Sequence, residues 1–154
     1  MTLAADMDHH EADWRAAASA TLHCLTGCAI GEVLGMVIGT AFGLPALATI
    51  ALAIALAFVF GYAFTLRGVL RAGVAFAVAL KVALAADTLS ITVMEIVDNA
   101  IVLAVPGAME AGLDALLFWT SLALGLAVAF FAAWPVNRWL IARGRGHAVI
   151  HQYH

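Results

Sequence analysis

The sequence predicts an all-α integral membrane protein, a bundle of four transmembrane helices with both termini in the cytoplasm. Three observations carry that expectation. The 154 residues are 65% hydrophobic and 11% charged, against about 25% charged in an ordinary soluble domain, so most of the surface cannot face water. The mean hydropathy of +1.03 is concentrated in stretches that reach the roughly 20 residues a spanning helix needs. All seven basic residues sort to one side of the arrangement those stretches define.

Residues 1–16 are acidic and polar, with no basic segment ahead of an apolar run, and read as a cytoplasmic tail rather than a cleaved signal peptide. The first span is expected over 17–42. Gly43, Leu44 and Pro45 then interrupt the helix. The second span, 46–66, carries no charge; its ALAIALA section alternates like a strand, but the uninterrupted length favours a helix. The stretch from Arg67 to Gly107 is too long for one span at 1.5 Å per residue. It divides into an interfacial or re-entrant piece over 68–80 and a third span over 81–105, with one long tilted helix as the alternative. Pro106, Gly107 and the acidic GAMEAGLD segment close that span. The fourth covers 115–140, with Pro135 kinking or ending it, and residues 141–154 form a His- and Arg-rich cytoplasmic tail.

Orientation follows from lysine and arginine placement. Arg15, Arg67, Arg71, Lys81, Arg138, Arg143 and Arg145 lie on the side of the termini and the middle loop. The other two loops hold only Glu110 and Asp114. Trp14, Trp134 and Trp139 fall near the inner interface and Trp119 near the outer one, where indole rings settle.

Two stripes at spacing four run along the first span. Gly27, Gly31, Gly35, Gly39 and Gly43 form a small-residue ridge, bordered by Cys24, Cys28, Glu32, Met36 and Thr40. Residues four apart share a helix face. A helical glycine costs about 1 kcal/mol against alanine, and close backbone contact between helices offsets that. The ridge therefore reads as a packing face, within the chain or between copies of it.

Glu32 is another matter. A carboxylate along a span is unfavourable unless it is paired, protonated or bound to a cation. The third span adds Asp87, Met94, Glu95, Asp98 and Asn99, of which 87, 94, 95 and 98 share one helix face. Two carboxylates that close in a low dielectric cannot both stay ionised without a partner. With spans starting near Ala18 and Lys81, Glu32 and Glu95 both lie roughly 21 Å along their helices, and His23 and Cys24 match Asp87. Lys81 sits at the cytoplasmic end, which leaves a proton or a metal cation as the expected partner of the acids. The bland alternative is neutral acids that bond helix to helix.

His23, Cys24 and Cys28 suit zinc, copper or iron, and Met36 and Met94 could add thioether ligands. The same residues also read as a small apolar pair and a histidine bonded to a carbonyl. Only two cysteines occur, one helical turn apart near the reducing side, so thiols are expected rather than a disulfide. His9 and His10 lie among acids in the first tail. His147, His151 and His154 would share one face of a helical second tail, and both clusters could collect a divalent metal. The alternatives are disorder and, for the RGRGH stretch, contact with anionic lipid.

The stretches TLHCLTGCAIGE (21–32), MEIVDN (94–99) and WPVNRWLIARGRGHAVIHQYH (134–154) resemble a bacterial family of small multi-pass membrane proteins catalogued as a domain of unknown function (number 4396). The resemblance covers the chain from Trp14 onward. It implies an all-helical protein of the bacterial inner membrane and brings no activity, substrate, cofactor or site residue with it.

The leading expectation from the residues is binding of a transition-metal ion, copper or zinc with iron also compatible, and its passage across the membrane. Glu32, Glu95, Asp98 and Asn99 would form a mid-membrane site. His23, Cys24, Cys28 and Asp87 would form one nearer the cytoplasm. The expected partners are the lipid bilayer, the metal ion and further copies of the chain, and no nucleic acid. Three rivals stand beside it: a metal or haem redox enzyme, although neither paired Glu-x-x-His spacing nor CxxCH occurs; a proton-linked transporter or channel; and a structural accessory subunit.

Overall fold

The computed structural model describes residues 2–143, with side chains described from Trp14 onward. Among them four helices occur and no strand: α1 (Thr2–Ala41), α2 (Ala46–Arg71), α3 (Phe76–Ala104) and α4 (Leu116–Ala142). The apolar part of α1, Trp14–Ala41, has 28 residues, about 42 Å of helix. The other three helices have 26, 29 and 27 residues, so each is long and apolar enough to cross a roughly 30 Å hydrocarbon layer. Large side chains such as Leu47, Val59, Ile96, Leu103, Leu116 and Phe131 are exposed on the outside of the bundle, as a lipid-facing surface requires.

The helices run up, down, up and down. α1 packs along α2, α2 along α3 and α3 along α4, while α1 against α4 closes the ring; α1 also touches α3 across the middle. The two acid-bearing helices thus meet inside the bundle. Their connections are short for a physical reason. Gly43, at φ +62°, ends α1 in the left-handed conformation that glycine adopts without strain. The N–H of Leu44 then bonds the Gly39 carbonyl at 2.8 Å and that of Gly43 bonds Thr40 at 3.2 Å, the paired closure of a glycine-terminated helix. Pro45 follows, and α2 starts at once.

Three expectations about the elements change. The 68–80 segment forms no separate piece between the spans. Its first residues complete α2, a turn at 72–75 follows with Gly73 at φ +83°, and Phe76–Leu80 opens α3. Glycine and an extended Ala75 reverse the chain there more compactly than a membrane-surface helix would. α4 does not end at Pro135 but continues to Ala142; one missing N–H is tolerated near a helix end with neighbours packed around it. The N-terminal tail, finally, is helical in its backbone from Thr2 and continuous with α1.

The glycine ridge is the α1–α2 interface. Gly27, Gly31, Gly35 and Gly39 lie against Gly61, Ala57, Ala53 and Thr49 in turn, an antiparallel register in which each step of four up one helix meets four down the other. A Cβ on Gly27 would stand 2.8 Å from the Gly61 Cα, and one on Gly31 would meet the backbone of Ala57. The backbones approach as closely as they can. Gly43 belongs to the turn rather than to this face.

Candidate functional site

Two helices set out the polar interior. On α1, Cys24, Cys28 and Glu32 follow one another at one-turn steps and are all buried; on α3, Asp87, Ser90, Met94, Glu95 and Asp98 are buried in the same way. Since α1 and α3 run in the same direction, the two rows face each other rung by rung. The lowest rung joins Cys24 to Asp87, with the thiol donating to Oδ1 at 3.4 Å. Thr65 of α2 also reaches Asp87, and Ser90 is buried beside this rung with no partner for its Oγ. The middle rung sets the Cys28 thiol beside Glu95, whose Oε2 accepts from the Asn99 Nδ2 at 3.4 Å. The upper rung brings Glu32 and Asp98 within hydrogen-bonding reach of each other.

That upper pair is the centre of the arrangement. Glu32 is 6% and Asp98 3% exposed, yet no donor reaches either oxygen of Glu32 or Oδ1 of Asp98. Buried polar atoms without partners are uncommon in folded proteins. Two facing carboxyl groups resolve this if they hold one proton between them or share a cation. The described basic residues lie elsewhere: Arg15, Arg67, Arg71, Lys81 and Arg143 are exposed and Arg138 half-buried. Lys81, the lysine of α3, is seventeen residues from Asp98, about 26 Å along the helix.

The fourth helix is shaped to admit the pair. Gly125 of α4 is buried, and a Cβ there would meet Asp98 Oδ1. The pair opens onto a cavity of about 50 Å³ lined by Glu32, Asp98, Asn99 and Ser121 on its polar side and by Met36 and Phe118 among its apolar walls, room for a few water molecules. On the other side of the pair the interior is packed, with Cys24, Cys28, Ala57, Ile91, Met94, Ala129 and Ala133 forming one buried cluster, although Asp87 Oδ2, Ser90 Oγ and Glu95 Oε1 also lack hydrogen-bond partners there.

The rung pattern corrects two expected pairings. Glu32 is matched most closely with Asp98, one turn beyond Glu95. His23 does not join Cys24 and Asp87; it is exposed on the outer side of α1, its ring 5.8 Å from that of Phe64. Helical geometry requires this, since 23 and 24 point about 100° apart. Met36 lines the cavity and Met94 the packed core. Among the described residues, no three histidine, cysteine, aspartate or glutamate side chains gather as a metal-ligand group. The side chains of His9 and His10, and all of His147, His151 and His154, lie outside the described residues.

Thr65, Ser90, Ser121, Met109 and Gly125 also build the site and were not among the candidates. Thr65, Ser90 and Ser121 did carry a signal, being isolated hydroxyls in apolar spans. Gly125 and Met109 did not, since only the packing of α4 and of the α3–α4 loop reveals them.

No curated protein and no solved structure matches the chain. One family does, over residues 13–146, which takes in all four spans and every rung of the buried row: the chain belongs to the family described as Domain of unknown function (DUF4396).

Proposed function

We propose that this protein passes protons across the bacterial inner membrane, with Glu32 and Asp98 as the exchange site and both termini in the cytoplasm. The observation that supports it is the opposed, buried Glu32–Asp98 pair, in which both Glu32 oxygens and Asp98 Oδ1 have no donor, bordered by a cavity large enough for water. Intramembrane carboxyl groups of this kind mark ion and proton routes. The rungs below extend the row: Glu95 with Cys28, then Asp87 with Cys24, Thr65 and Ser90. Each rung offers an acceptor or an exchangeable hydrogen, so a proton can be handed on without a charge crossing an apolar gap alone. Orientation rests on the basic residues gathered at the terminal side.

A second reading is supported by the soft donors. Cys24, Cys28 and Met94 share one buried cluster, and thiolate with thioether suits copper, while zinc or iron would draw on the carboxylates beside them. Such an ion would take Met94 or a donor from a second copy of the chain to complete its ligands. A second copy would have to dock on some face other than the glycine ridge, which α2 covers.

The test is proton flux into vesicles reconstituted with the purified protein under an imposed membrane potential, read with an enclosed pH dye. Wild-type protein is expected to acidify the lumen well above empty vesicles, and Glu32→Gln and Asp98→Asn to lower that rate at least tenfold. Wild-type flux equal to that of empty vesicles overturns the proposal. Metal content by mass spectrometry of wild-type protein beside Cys24→Ser decides the second reading: stoichiometric copper, zinc or iron that falls in the variant supports it, and metal-free protein after reconstitution with each ion removes it.

A further inference from the structure

The Glu32–Asp98 pair is not placed symmetrically between the two faces of the bundle. Glu32 is nine residues from the end of α1 at the α1–α2 turn and eighteen from Trp14, about 14 Å against 27 Å of helix. Asp98 is six residues from the end of α3, about 9 Å. At that near face a second, larger hollow of about 320 Å³ lies between the α1–α2 turn and the α3–α4 loop, with Thr40, Thr49, Glu110 and Gly112 in its walls. The two hollows share Met36, Ile50 and Met109. The two hollows thus adjoin each other at two flexible methionines and an isoleucine.

In the opposite direction two packed features lie between the pair and the far face. Next to the pair come the fully buried Ile91 and Met94 with Cys28. Farther along, Trp14 and Trp134 stack edge to face at 5.5 Å, the Trp134 Nε1 donates to the Trp14 carbonyl at 3.1 Å, and the Arg138 guanidinium lies 4.2 Å above the Trp14 ring. The exposed Glu110 at the wall of the larger hollow carries a charge that draws cations toward its mouth.

We infer that the Glu32–Asp98 pair exchanges its proton with water from one face only, that of the α1–α2 turn and the α3–α4 loop, through the larger hollow as a vestibule gated by Met36, Ile50 and Met109. The inference rests on the proposed proton-exchange role of the pair and assigns its side. Methionine suits the gate because its unbranched thioether moves between rotamers at little penalty. Hydrated protons reach the smaller hollow when those side chains part, while the packed core beyond Glu95 keeps the other face from filling it.

The test uses the full chain with single cysteines introduced at positions along the route, in right-side-out and inverted vesicles, and a membrane-impermeant cationic thiol reagent. The parent chain, whose Cys24 and Cys28 are buried, supplies the baseline. Ala75→Cys, in the exposed α2–α3 turn, marks the far face. Thr40→Cys in the vestibule wall and Met36→Cys at the gate should react only from the face opposite to that which labels Ala75→Cys. Ser90→Cys in the core should react from neither. Reaction at Met36→Cys should also lower proton flux at least tenfold. Labelling of Thr40→Cys or Met36→Cys from the Ala75 face, or from both faces equally, overturns the inference; Thr40→Cys decides it alone if Met36→Cys fails to assemble. The two readings fail separately. Flux that depends on Glu32 together with labelling from the wrong face removes the one-sided route and leaves the function, whereas one-sided labelling without wild-type flux leaves a vestibule and removes the function.

Discussion

Glu32 and Asp98 show what a single residue can say from sequence and what it cannot. A carboxyl group in an apolar span is legible as a site because its burial demands a partner. Which partner it takes depends on helix register, and one turn of offset in α3 exchanges Glu95 for Asp98 as the group nearest Glu32. Cys24 and Asp87 were legible together because both lie near the terminal side, and the 3.4 Å contact joins them. Two consequences follow at this scale. Replacing Asp87 by Ala leaves the Cys24 thiol and the Thr65 hydroxyl without their acceptor, which should cost about 1–3 kcal/mol; Asp87→Asn, which keeps an acceptor oxygen, should lose less. Denaturant titration of the two variants in detergent checks the order, and equal losses would contradict it. Gly125→Val places a side chain where Asp98 Oδ1 lies, so it should abolish proton flux while circular dichroism still reports a helical protein. Unchanged flux would show that α4 does not confine the acid.

At the scale of elements, the glycine ridge was visible as a packing surface but its occupant was not. Spacing alone cannot tell an interface within the chain from one between chains. The antiparallel match of Gly27, Gly31, Gly35 and Gly39 to Gly61, Ala57, Ala53 and Thr49 settles it through complementary small residues on the very next helix. Gly31→Ala forces a Cβ against the Ala57 backbone, which cannot yield as a side chain would, and should destabilise the protein by about 1–3 kcal/mol. Gly68→Ala meets nothing within 4 Å and should leave stability unchanged or raise it by up to about 1 kcal/mol. Melting temperatures in one detergent compare the two directly, and a Gly31→Ala protein as stable as wild type would refute the interface. Helix boundaries were harder to read at 68–80, where glycine, basic residues and short apolar runs resemble a membrane-surface segment. The left-handed Gly73 turn, which joins two long helices directly, leaves no periodic trace in the sequence.

For the whole molecule, four spans follow from composition and length alone, because few other arrangements hide so much apolar surface. The up-down order places the α1–α2 turn and the α3–α4 loop on one face, and the α2–α3 turn, the start of the apolar part of α1 at Trp14 and the end of α4 at Ala142 on the other. The cavity and vestibule were not legible, since they arise from the way the α3–α4 loop folds back with Ala108 and Met109 over the bundle. If the basic residues orient the bundle, a reporter fused at the C-terminus or inserted at Gly73 should be active in the cytoplasm, and one inserted at Gly112 should be active only outside it. The reverse pattern would invert the direction of the route without removing it.

The most direct measurement is infrared spectroscopy of the reconstituted protein in the carbonyl region of protonated carboxyl groups, with wild type beside Glu32→Gln and Asp98→Asn. A facing pair that holds one proton should give the wild type, at neutral pH, a protonated-carboxyl band that shifts on hydrogen–deuterium exchange and is lost or displaced in each variant. A wild-type spectrum with every carboxyl ionised, or a band that both variants leave unchanged, would contradict the shared proton on which the account rests.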